Sequence, residues 1–146
     1  MDVAEQALVK LGFRTKRYTF GVVENLYARL GTASPNFCFA GHLDVVPPGE
    51  GWTSDPFAAE IRDGQLYGRG ATDMKTAIAA MIAGTENFLR QGAPHGSISF
   101  LLTCDEEGPA IDGTVRVLEA LAAEGARVGI LDADIYGPSQ PQMLGI

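Results

Sequence analysis

Apolar positions recur along this chain at two spacings, and the change from one to the other separates helices from strands. Val3, Ala7, Leu8 and Leu11 repeat at helical spacing and Gly12 follows, which predicts a short amphipathic helix with its C-terminal stop. Leu26, Ala28 and Leu30 instead alternate with Tyr27 and Arg29 as in a half-buried strand; residues 31–36 read as a turn and Phe37 to Gly41 as a second strand. From Pro47 to Pro56 the backbone breakers predict a long surface loop, anchored by Trp52 and Phe57. Glu60 to Arg62 and Gln65 to Tyr67 flank Asp63-Gly64, a dipeptide suited to the positive φ angles of a two-residue hairpin turn. Met74, Ile78, Met81, Ile82, Phe88 and Leu89 mark one apolar face of a helix that ends before Gly92. Ser97 to Thr103 is almost continuously apolar, as in a strand covered on both faces. Val115, Leu118, Leu121 and Ala122 define another helix closed by Gly125, and Arg127 to Leu131 reads as a last strand.

Strands alternating with helices predict an α/β fold with right-handed crossovers and a largely parallel sheet, whose carboxyl edge is where such folds bind ligands. The length of 146 residues, 46% of them hydrophobic, fits one domain with a real core. A net charge of -7 leaves no basic footprint, which argues against nucleic acid or an anionic membrane as partner. No run approaches the roughly 18 apolar residues of a membrane span, and residues 1–10 lack a basic segment followed by an apolar one, so a cytoplasmic protein is expected. Cys38 and Cys104 lie in apolar strand-like runs without a paired ligand motif and are expected as buried, reduced thiols.

The polar residues that interrupt this pattern gather at strand ends. Between Leu66 and Lys75 an apolar strand end runs through Gly68 and Gly70, which tolerate positive φ and close approach, and delivers Asp73 to the start of a helix, where an Asp is most simply an N-cap. In His42-Leu43-Asp44 the two polar residues face the same side of an extended chain, so Asp44 can orient the imidazole; this suits a metal ligand and its support, although a single His is more often structural. His95, in a Pro-His-Gly turn, reads as an ordinary turn residue. Glu106 and Glu107 are adjacent and diverge, so one carboxylate can bind a metal while the other acts as general base; alone, the pair is a solvated acidic turn. Taken together, one imidazole and several carboxylates suit zinc, with cobalt or manganese as alternatives. Two ions roughly 3.5–4 Å apart, sharing Asp73, would serve hydrolysis of an amide.

Three ordered blocks match a known family: Phe39-Ala40-Gly41-His42-Leu43-Asp44-Val45-Val46-Pro47-Pro48, Leu66-Tyr67-Gly68-Arg69-Gly70-Ala71-Thr72-Asp73-Met74-Lys75, and Ser99 through Asp105-Glu106-Glu107-Gly108 to Ala110. Through these, residues 1–121 resemble the succinyl-diaminopimelate desuccinylases, di-zinc amidohydrolases of the aminoacylase and carboxypeptidase kind. The resemblance implies part of a zinc-exopeptidase-like catalytic domain, a three-layer α/β fragment with a mostly parallel sheet. It further implies His42 as ligand of one zinc, Asp73 as the bridge, Glu107 as ligand of the other, Glu106 as general base and Asp44 as the carboxylate behind His42. A cis peptide after Asp73 and a small N-acyl amino acid substrate, N-succinyl-LL-2,6-diaminopimelate, are implied as well. The family's lid domain used in dimerisation, its later Gly-Glu-Pro turn and its last His ligand have no counterpart here. Each ion would lose one protein ligand, and the chain by itself is expected to be inactive.

Residues 122–146, entered through the helix end at Leu121, resemble instead a segment of the Mrp-type P-loop ATPases that carry iron-sulfur clusters, which would make the chain a fusion. The Lys-containing phosphate loop of those proteins is missing, so nucleotide binding is not expected. The same tail could also serve as a further strand of the first domain. Asp132 and Asp134 then become candidates to replace the lost carboxylate ligand, against the simpler reading of a solvated strand end. The competing functions are a fragment of a zinc amidohydrolase, a fragment of an ATP-binding iron-sulfur carrier, and a non-catalytic α/β module.

Overall fold

The computed structural model describes residues 1–127 and residue 129. Its elements in chain order are α1 (Asp2–Lys10), β1 (Arg14–Phe20), β2 (Val23–Leu30), β3 (Asn36–His42), β4 (Glu60–Arg62), β5 (Gln65–Tyr67), α2 (Thr76–Leu89), β6 (Ser97–Thr103) and α3 (Thr114–Ala123). Every residue of β6 is buried, because β6 lies between β2 and β3 in a sheet of order β1-β2-β6-β3 and is covered on both faces. Ile98, Phe100 and Leu102 point to one face, where Leu8 of α1, Phe13, Leu26 and Ala28 of β2 and Ile78 of α2 complete the main core. Leu101 points to the other face and meets Tyr18 of β1 and Val117 of α3. Helices on both sides of one sheet make the three layers that the sequence predicts.

The sheet formed by the described residues is not largely parallel. Among the described strands β1–β2 and β2–β6 are antiparallel and only β3–β6 is parallel. The sequence pattern misses β1, since Arg14, Lys16 and Arg17 interrupt its apolar positions. That strand forms a hairpin with β2 across Gly21 and Val22, and a turn this short joins strands only in antiparallel fashion. From β3 to β6 the chain has room for β4, β5 and α2, and this long crossover is what permits parallel pairing.

The β4–β5 hairpin forms as the pattern predicts, with Asp63 at φ 50° and Gly64 at φ 75°. Trp52 anchors the long loop: its indole N–H donates to Pro48 O at 2.8 Å, and the Arg69 guanidinium, 5.6 Å from the ring centre, also donates to Pro48 O. Three expectations about burial fail. Phe57 is 64% exposed, Phe88 at the end of α2 is 49% exposed, and Cys38, on the strand at the edge of the described sheet, is exposed rather than buried. Both cysteines are unpaired. Among the described residues no helix is long and apolar enough to cross a membrane. Of the expected strand from Arg127 to Leu131 only residues 127 and 129 are described, and neither lies in a strand; the other three fall outside the described residues.

Arg17 ties the amino-terminal helix to the hairpin, donating to Asp2 and Glu5 of α1 and to Glu24 of β2. Its hydrogen bonds hold the Asp2 and Glu5 carboxyls below their ordinary values of 3.8 and 4.5. Folding lowers both pKa values, so the stabilisation is complete above the ordinary values and is lost as pH falls through the lowered ones. Urea unfolding across a pH series is expected to show wild-type stability declining below about pH 5, with a shallower decline in Arg17→Gln. Parallel profiles for the two proteins would show that these ion pairs contribute nothing to folding.

Candidate metal centre

Parallel pairing in register ends β3 and β6 at the same level. His42 lies opposite Thr103, and Leu43 N–H donates to Thr103 O at 2.8 Å. The last residue of β3 and the loop after β6 are therefore neighbours at the carboxyl edge of the sheet, and that loop carries Glu106 and Glu107. Asp73 arrives from a third direction. Gly70 turns the chain at φ 78°, where a side chain would also strike Val45, a Cβ there lying 2.5 Å from its Cγ1. Gly68 shows no positive φ, so only the second glycine supplies the conformational freedom that the motif predicts. Residues 71–75 form an irregular turn containing a cis Asp73-Met74 peptide bond. Asp73 makes no capping bond to α2, and its carboxylate turns instead toward His42.

The His42 imidazole is buried. Its Nδ1 lies 3.3 Å from the Asp44 carbonyl oxygen and 3.5 Å from Asp44 Oδ1, while Nε2 lies 3.0 Å from Asp73 Oδ1 and 3.7 Å from Glu106 Oε2. With acceptors on the Nδ1 side, the proton belongs there, and the Nε2 lone pair faces carboxylate oxygens. Two acceptors 3.0 Å apart are reconciled by a metal ion beside them, or by the other ring tautomer, whose Nε2–H donates to Asp73 Oδ1. Ligand atoms of His42, Asp73 and Glu107 all lie within 4.8 Å of one another, a donor set of one nitrogen and two oxygens that suits zinc. Asp44 serves both sides: Oδ2 accepts the Glu107 backbone N–H at 2.8 Å, while Oδ1 is buried without a hydrogen-bond partner and faces His42. Burial pushes the Glu106 carboxyl above its ordinary value, with Glu107, Asp73 and Asp44 adding to the rise and His42 opposing it.

Five of the residues singled out from sequence are thus brought together: His42, Asp44, Asp73, Glu106 and Glu107. His95 is exposed in the turn before β6, at the opposite end of that strand. Asp132 and Asp134 lie outside the described residues. Sequence reasoning missed Asn25 and Asp105, both buried beside the Glu106-Glu107 loop. An Asn inside a strand, where Asn is depleted, was the available signal for the first.

The profile of peptidase family M20/M25/M40 matches residues 38–145. The succinyl-diaminopimelate desuccinylase of Maricaulis maris (strain MCS10) is 59% identical over 148 aligned positions, covering 99% of this chain and 37% of the relative. That of Caulobacter sp. (strain K31) is 57% identical with the same coverage. The chain thus spans little more than a third of the curated relatives it matches. Human carnosine dipeptidase 1 superposes with a TM-score of 0.72 at 31% identity, over 87% of this chain and 29% of that one. An M20 family metallo-carboxypeptidase of Sulfolobus solfataricus gives 0.73 at 22% identity, over 84% and 29%, and shares the fold. Both the family profile and the Maricaulis relative run through the segment that resembles an ATPase, and nothing here supports that second resemblance. A metal-suited cluster at the sheet edge, this fold and a profile match over most of the length converge: the chain belongs to peptidase family M20/M25/M40.

Proposed function

We propose that this chain carries part of the catalytic site of a zinc-dependent amidohydrolase that cleaves N-succinyl-LL-2,6-diaminopimelate. The observation that carries the reading is the approach of His42, Asp73 and Glu107 to within 4.8 Å at the sheet edge, with Glu106 beside them. Likeness to the desuccinylases over 99% of the chain supports the substrate. Two zinc ions are proposed, His42 and Asp73 holding one, Asp73 and Glu107 the other, with cobalt able to substitute in the same donor set. Bound there, the ions supply Lewis acidity toward the amide carbonyl. Glu106 takes the proton of the attacking water and returns it to the leaving amine, so that succinate and a free amino group result; a carboxyl raised by burial is suited to both transfers. Asp44 holds the His42 tautomer that turns Nε2 toward the ions.

The family profile reaches residue 145, which favours reading 122–146 as a continuation of the domain of residues 1–121 rather than as an ATPase segment. Asp132 and Asp134 stand as candidate replacement ligands on this reading. The unpaired cysteines agree with a reducing, cytoplasmic setting.

Assayed alone with zinc, the chain is expected to fall far below the roughly 1 per second of an ordinary enzyme, since few protein donors surround each proposed ion. The decisive experiment places residues 1–127 in the Maricaulis desuccinylase in place of the matching stretch. The chimera is expected to release succinate, and Glu106→Gln in it to lower kcat by about 10²–10⁴ while zinc content stays unchanged. A folded, zinc-loaded chimera without activity, or a Glu106→Gln form at full activity, would refute the assignment.

A further inference from the structure

Glu106 and Glu107 sit in a loop gripped by three side chains, Asp105, Asn25 and Asp44. Asp105 is 8% exposed, and its Oδ2 accepts the backbone N–H groups of Ile111 and Asp112, both at 2.8 Å, so the start of the loop is tied to its end. Asn25, fully buried on β2, joins the same two ends from below. Its Oδ1 accepts the Cys104 N–H at 3.2 Å and its Nδ2 donates to Asp112 O at 2.9 Å, with a second, longer bond to Tyr18 O at 3.3 Å. Asp44 adds the tether to Glu107 N–H. Between these ties the chain closes tightly: Ala110 is held at φ 57°, and a Cβ on Gly108 would lie 2.9 Å from Asp105 Oδ1. Neither Asn25 nor Asp105 is among the metal-suited donors, and each bonds backbone groups of residues 104–112, Asn25 through both ends of its amide and Asp105 through Oδ2.

We propose that Asn25 and Asp105 are positioning residues that close residues 104–112 into a fixed loop and thereby present Glu106 and Glu107 to the metal centre. The inference rests on the proposed metal site and extends it by naming what holds its carboxylates in place. Backbone N–H groups bonded to a buried carboxylate are strongly held, and outer residues of this kind typically alter metal affinity by roughly 10–100-fold when removed.

The test uses the full chain and zinc, titrated against a chromophoric chelator at a temperature where circular dichroism shows each variant folded. Asp105→Ala is expected to weaken zinc binding roughly tenfold or more and to remove amide-exchange protection at Ile111 and Asp112. Asp105→Asn keeps an oxygen acceptor for the same two N–H groups and is expected to restore most of the affinity. Gly108→Ala, an exposed change that pushes the loop off Asp105, supplies a second variant if Asp105→Ala does not fold, and is expected to weaken binding as well. A purely structural role would lower the melting temperature and leave the affinity of the folded protein unchanged, and that result overturns the positioning role if His42→Ala weakens binding about a hundredfold in the same titration. Zinc binding as tight in His42→Ala as in the wild type overturns the metal reading and this inference with it.

Discussion

Phe100→Ala is expected to cost about 3–5 kcal/mol of folding stability, the largest effect of any single truncation in the sheet. Phe100 is completely buried at the middle of the central strand, with its ring 5.6 Å from that of Phe13 and 5.0 Å from that of Phe39. Its backbone is flanked by Ala28 on one side and Phe39 on the other, so no neighbouring strand can collapse into the space a truncation leaves. Domains of this size have about 5–15 kcal/mol in all, so the variant should be largely unfolded under mild denaturant. The measurement is the urea midpoint at unchanged slope, with Phe37→Ala as control. Phe37 is 62% exposed, and its truncation should move the midpoint little. Equal shifts would show that the core is not centred on β6.

His42→Ala is expected to have the largest effect on metal binding. Structural zinc sites bind with about 10–16 kcal/mol spread over about four ligands, so one lost ligand is worth about 3 kcal/mol, or roughly a hundredfold in affinity. Zinc competition on the full chain measures it, and His95→Ala, exposed at the other end of β6, should bind like the wild type. The same titration with Asp132→Asn and Asp134→Asn tests whether either carboxylate serves as a ligand. If His42→Ala binds zinc as tightly as the wild type, the cluster at the sheet edge is not the metal site.

The alternation and runs of apolar residues determined the elements: seven consecutive buried positions in β6, the Asp63-Gly64 hairpin, α1 and α2, and the emergence of His42, Glu106 and Glu107 at strand ends. These features are local, since a run of one period is a property of a few neighbouring residues and a turn dipeptide acts on its own backbone. Pairing is not local, and tertiary structure decided it. Residues 14–20 become a strand because β2 offers its hydrogen-bonding edge, despite the charges among them; that antiparallel hairpin replaces the expected parallel neighbour. Among the described strands the same pairing order puts β3 at the edge, and Phe37 and Cys38 are exposed although their sequence reads as core. At the site, the residue types were legible but their assignments were not. An Asp before a helix suits an N-cap, and only the turn at Gly70 and the level ends of β3 and β6 carry Asp73 to His42 instead. Asn25 and Asp105 were unreadable for the same reason: a polar residue in a strand or turn shows its purpose only when folding removes water and names the backbone groups left for it to satisfy.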